Sequence, residues 1–108
     1  MNRLSLIEFP ADDPGRAQRF WEGLLEIELS ERREDEGQGI QTHSGEPELG
    51  VHARGPGPGD RFSLPYFRTA DLPAALERVV ELGGDIVHPG TRFAVCRDSE
   101  GNPFGLAG

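Results

Sequence analysis

A single cysteine, Cys96, denies this chain an intramolecular disulfide framework. That usage fits a reducing cytoplasm. Basic residues are also few: 11 Lys+Arg stand against 19 Asp+Glu, for a formal net charge of -8. The balance argues against a general nucleic-acid binder and against a binder of anionic membranes, since both need a basic surface. No apolar run approaches the ~20 residues of a membrane-spanning helix. The N-terminus carries one arginine, Arg3, and no long apolar region, so no signal peptide is visible. The spacing of His43, His52 and His88 matches no local zinc motif. No Gly-rich loop precedes a helix, so the chain has no phosphate loop. These absences point to a cytoplasmic protein with neither nucleic acid nor membrane as partner.

Glycine and proline, by contrast, are plentiful, with 15 and 9 copies in 108 residues. They punctuate short elements within what the length marks as one ordinary domain with one modest core. Leu4 to Phe9 is a short, mostly apolar run ended by Pro10, the pattern of a largely buried strand. Asp13-Pro14 is a helix start, an Asp N-cap followed by Pro at the first helical position. Ala17, Phe20, Trp21, Leu24 and Leu25 then fall on one apolar helical face, predicting a helix from Pro14 to Leu25. Ile27 and Leu29 alternate with Glu26, Glu28 and Ser30, which predicts a half-exposed strand over Glu26 to Arg33, closed by a charged turn at Glu34 to Gly37. Gly39 to His43 and Glu48 to Arg54 complete a set of three strands. The run Gly55-Pro56-Gly57-Pro58-Gly59 can be neither helix nor sheet interior and reads as a linker.

After the linker the pattern restarts. Phe62 to Arg68 is a strand in which Pro65 indicates an edge or a bulge. Asp71 caps a second helix with the stripe Leu72, Ala75, Leu76, Val79 and Val80, and Gly83-Gly84 is a left-handed helix stop. Short strands follow at Asp85 to His88, Arg92 to Arg97 and Phe104 to Ala107, the last two joined by a turn at Asp98 to Asn102. The chain is therefore strand–helix–three strands, twice. Two such βαβββ modules, neither able to cover its own sheet, should pair into an α+β fold with one curved mixed sheet around a central cavity. The expected division is module one at 1–54, linker at 55–60 and module two at 61–108.

Glu8 breaks the logic of the first strand, a carboxylate on the face shared by Leu4 and Leu6. It reads either as a ligand acceptor or general base, or as a carboxylate paired with Arg68, Arg92 or Arg97 or with backbone donors. A buried carboxylate left unpaired costs too much to be retained by default. His52 reads as a surface or rim histidine, with a ligand contact or lone metal donor as the alternative. His43 and His88, at strand ends, read as exposed, and Cys96 as a buried inert thiol. Trp21 reads as packing against the sheet. Tyr66, with Phe62 as a second candidate, should face the same cavity as Leu64, and both read otherwise as ordinary core.

Two motifs resemble the vicinal oxygen chelate superfamily, the glyoxalase/bleomycin-resistance/dioxygenase fold. One is Glu8-Phe9-Pro10-Ala11-Asp12-Asp13 followed by Arg16-Ala17 and Phe20-Trp21; the other is Asp98-Ser99-Glu100-Gly101-Asn102-Pro103-Phe104-Gly105-Leu106. Leu72 through Gly84 is similar to that family's second-module helix. The resemblance implies metal-ligand positions on four strands: Leu6, a residue near Leu64, one within Glu48 to His52 (where Glu48, Gly50 and His52 share a face), and Gly105. Leu and Gly side chains cannot ligate a metal, so a member lacking the metal ligands and carrying no cofactor is implied, with a homodimer as its assembly. The expected function is metal-independent binding of a small molecule that is cationic or donates hydrogen bonds, in a cavity lined by Leu4, Leu6, Glu8, His52, Leu64 and Tyr66. The alternative is a lyase- or isomerase-type enzyme with Glu8 as general base, with or without a metal. An accessory domain serving another protein is a third reading.

Overall fold

In a computed structural model, which describes residues 2–57 and 59–108, both halves of the chain contribute to one open, mixed sheet. The elements are β1 (Arg3–Ala11), α1 (Pro14–Leu25), β2 (Ser30–Glu31), β3 (Ile40–Gln41), β4 (Glu48–Ala53), β5 (Leu64–Arg68), α2 (Leu72–Glu81), β6 (Asp85–His88), β7 (Phe93–Arg97) and β8 (Pro103–Ala107). The strand order is β2-β3-β4-β1-β5-β8-β7-β6. The opening strand of each half stands at the centre, β1 antiparallel to β5, and each pairs in parallel with the last strand of its own half. Pro58 of the linker lies outside the described residues.

Both helices form where their caps place them. Asp13 accepts the backbone N–H of Arg16 at 3.1 Å and Asp71 that of Ala74 at 3.0 Å, each followed by a proline in the first turn. Gly83 ends α2 at φ 98, a conformation that only glycine adopts readily, with its N–H on the Val80 carbonyl. Both helices cover the same sheet face. Ala17 and Trp21 of α1 pack with Val51, Leu29 and Ala11, and Trp21 stacks on Phe9 with ring centroids 4.8 Å apart. Leu72, Ala75, Leu76 and Val79 of α2 pack with Ala94, Cys96 and Leu106. The core is thus two apolar clusters side by side.

Four expectations need correction. β1 does not end at Pro10 but runs to Ala11. The Ala11 carbonyl accepts from Arg54 on the β4 side, so Pro10 faces the other way, past the last β1–β5 partner pair at Glu8 and Leu64, where a missing N–H breaks no ladder. β5 is interior, between β1 and β8; Pro65 precedes the β8 pairing, which starts at Tyr66, and the irregularity lies in β1 instead, at Ser5. That bulge turns Leu4 to the helix-covered face beside Phe67, so Leu4 and Leu6 do not share a side. Finally, the strand expected over Glu26 to Arg33 shrinks to Ser30–Glu31, because Leu29, buried, and Ile27, half-buried, pack against α1 without a strand partner. The helical stripes are also wider than the sheet they cover: Phe20, Leu24, Leu25 and Val80 remain exposed. Among the described residues no helix is long and apolar enough to cross a membrane.

Candidate functional site

The sheet face away from the helices borders a cavity of about 770 Å³. Its walls come from both ends of the strand order, from Arg32, Gln38 and Gln41 on one side to His88, Phe93 and Val95 on the other, so the sheet curves around it. The volume is that of a drug-sized ligand site.

Register places Glu8 at the centre of the β4–β1–β5 tract, opposite Gly50 on one neighbour and Leu64 on the other. Its side chain is nearly inaccessible to water, and both carboxylate oxygens are engaged. One accepts from the Arg32 guanidinium, and the other lies 2.6 Å from His52 Nδ1. Arg32 reaches Glu8 because its backbone N–H still bonds Gly39 and so continues the β2–β3 ladder by one residue. Its Nε donates to Gln41 Oε1 at 2.9 Å and its Nη1 to the Gln38 carbonyl at 3.0 Å. Gln41 in turn donates to Glu48 Oε2 at 2.7 Å. The ion pair lies directly over Gly50; a Cβ there would collide with both Arg32 and Glu8, so the glycine is what makes room for it.

Burial pushes the Glu8 carboxyl pKa up, but the hydrogen bonds from His52 and Arg32 and the positive charge of Arg32 outweigh that, and the net displacement is below its ordinary value. An ionised carboxylate only accepts, so the hydrogen of the 2.6 Å contact sits on His52 Nδ1. His52 Nε2 is buried with no hydrogen-bond partner; Asp60 Oδ1, at 3.7 Å, is beyond bonding distance. Asp60 is itself tied to the loop by the Gly57 N–H at 3.1 Å.

The other half of the cavity floor is aromatic. The Tyr66 ring lies flat on Gly105, where any Cβ would strike it, and meets Phe93 edge-on at 6.4 Å between centroids. Burial, reinforced by the charge of Glu8, pushes the Tyr66 phenol up to about 12, so it stays protonated.

Of the residues singled out in the sequence, Leu6, Glu8, His52 and Tyr66 all line the cavity. Leu64 is fully buried under Gly59 and Val95 and is not part of the lining. Leu4, turned by the bulge, and Phe62, which is exposed, lie outside it as well. His52 is not a rim histidine but a member of the buried polar chain. The arginine that meets Glu8 is Arg32, which the sequence did not single out; Arg68 instead donates to the Gly108 carbonyl and Arg97 pairs with Asp85. His43 is exposed, and His88, also exposed, borders the cavity. Cys96 is buried on the helix side, where burial raises its thiol pKa.

At two of the positions that the family resemblance marks for a divalent metal, the side chains present do not fit one. Leu6 and Gly105 offer no donor atom, and the guanidinium of Arg32 already supplies a cation to Glu8. Among the described residues, no group of three or more His, Cys, Asp or Glu comes together in a form that could hold one.

Comparison with known proteins places these features in context. The profile of the glyoxalase-like domain matches residues 6–107. No curated protein matches the chain. Among solved structures, methylmalonyl-CoA epimerase from Mycobacterium tuberculosis is 17% identical with a TM-score of 0.69, over 97% of this chain and 86% of the other. An NAD-dependent benzaldehyde dehydrogenase from Legionella pneumophila is 15% identical with a TM-score of 0.72, over 99% and 97%. A hypothetical protein from Bacillus halodurans is 16% identical with a TM-score of 0.73, over 98% and 93%. At such identities the likeness is one of fold.

Proposed function

The chain belongs to the glyoxalase-like domain family, within the vicinal oxygen chelate superfamily, and from that premise we propose that it is a metal-independent small-molecule-binding protein. The observation that carries this reading is the Glu8–Arg32 pair on the wall of a 770 Å³ cavity. A fixed guanidinium neutralises the buried carboxylate, and an aromatic floor lies in the same cavity, so the site offers apolar burial without needing a metal to balance its charge. The alternative, a lyase or isomerase with Glu8 as general base, has less support. A carboxyl held below its ordinary pKa with both oxygens accepting hydrogen bonds is a poor proton acceptor.

A thermal-shift screen of apolar ring compounds, cationic natural products among them, tests the binding reading. A ligand present at about a hundred times its Kd adds about 2.7 kcal/mol and raises Tm by several degrees. A screen without any response, or a stoichiometric metal found by elemental analysis of purified protein, would count against it. The reading includes a homodimer in the cytoplasm.

A further inference from the structure

Resting on that reading of the cavity, we propose that its ligand is a ring-bearing molecule with a hydroxyl or N–H donor, and that the donor is read by His52 Nε2. Three observations converge on this atom. First, Glu8 fixes the ring: because its ionised carboxylate takes the Nδ1 hydrogen, a neutral His52 presents a lone pair at Nε2. Second, that lone pair is left unmatched. Nε2 is buried, has no hydrogen-bond partner among the described residues, and sits 3.7 Å from an Asp60 oxygen that cannot donate to it. A buried polar atom without its hydrogen bond costs about 1–3 kcal/mol, a cost that an incoming donor removes. A donor about 2.8 Å from both Nε2 and Asp60 Oδ1 is geometrically allowed, with Asp60 Oδ2 still accepting from the Gly57 N–H. Third, Tyr66 and Phe93 supply ring faces and edges in the same cavity.

Glu8 itself has no free oxygen to offer a charged competitor. A cationic ligand would look for an unpaired carboxylate, and Glu8 is not one: Arg32 and His52 occupy both of its oxygens. At Nε2 a methyl group in place of the donor hydrogen should be poorly tolerated. A site built around a polar group rejects an analogue that leaves this group unpaired.

The test uses the whole chain and two probes of nearly equal shape, 2-naphthol and 2-methoxynaphthalene. Calorimetry should show the naphthol binding at least about tenfold more tightly, the equivalent of one hydrogen bond of about 1.4 kcal/mol. In protein labelled with ¹⁵N-histidine, the naphthol should move the His52 Nε2 resonance, with His43 as an unaffected internal control. Asp60→Asn places a side-chain N–H donor beside Nε2 and should reduce the naphthol's advantage, without disturbing the buried pair. Equal affinity for the two probes, naphthol binding that leaves Nε2 unmoved, or an unchanged advantage in Asp60→Asn would each overturn the assignment of His52 while leaving the cavity a small-molecule site. Failure of both probes to bind would count against both proposals.

Discussion

At Glu8 one carboxylate joins three segments that are far apart in sequence: β1, the residue after β2, and β4. Removing it would leave the Arg32 guanidinium buried without its counter-charge, a change that costs about 3–5 kcal/mol in comparable pairs. Glu8→Gln is therefore expected to lower unfolding free energy by roughly 3 kcal/mol at pH 7, as read by urea denaturation. The pH dependence has a definite sign. Glu8 titrates below its ordinary value of 4.5 when folded, so its contribution is fully present above that pH and fades as pH falls through the folded value. The gap between wild type and Glu8→Gln should narrow below pH 4.5; a gap constant from pH 7 to pH 3 would show that the charge is not what the site depends on. Glu8 was legible in the sequence because a carboxylate interrupts an apolar strand. Its partners were not. Arg32 sits in a polar stretch indistinguishable from solvated surface, and His52 is half-buried where a carboxylate from another strand meets it.

The elements differ in how much of them local sequence determines. Helices α1 and α2 could be bounded to within a residue or so, because caps and stripes act over three or four positions of the same segment. β2 and β3 could not, since a strand exists only as far as its partner pairs, and here that partnership is two residues long. Glycines sharpen the contrast. At Gly50 in β4 a methyl group would push into Arg32 and Glu8, and Gly50→Ala should destabilise by about 1–3 kcal/mol through displacement of the pair. Gly23 in α1 has open space where a Cβ would stand, so Gly23→Ala should instead stabilise by about 0.5–1 kcal/mol. Thermal unfolding of the two variants, with opposite shifts in Tm, checks this; shifts of one sign would sink the argument. The bulge at Ser5 belongs to the same class of feature. Nothing in Leu4-Ser5-Leu6 announces it, because it arises from the match between two strands.

For the whole molecule, the repeat was enough to expect two halves joined in one curved sheet, while the order of its strands follows from register. Phe20, Leu24 and Leu25 form an exposed apolar patch on α1 that a proposed homodimer would bury. Light scattering is expected to give twice the chain mass, and Leu24→Arg to shift the population toward monomer; a monomer at all concentrations would remove the dimer from the reading. The two apolar clusters carry a further consequence. Each is sealed by its own helix, and the halves share backbone pairing chiefly along the β1–β5 seam. Amide hydrogen exchange should then resolve two separately opening units, with the seam the last to exchange. A molecule lodged between the Glu8–His52 wall and the Tyr66–Phe93 floor would span that seam, and occupancy would fuse the two openings into one cooperative event.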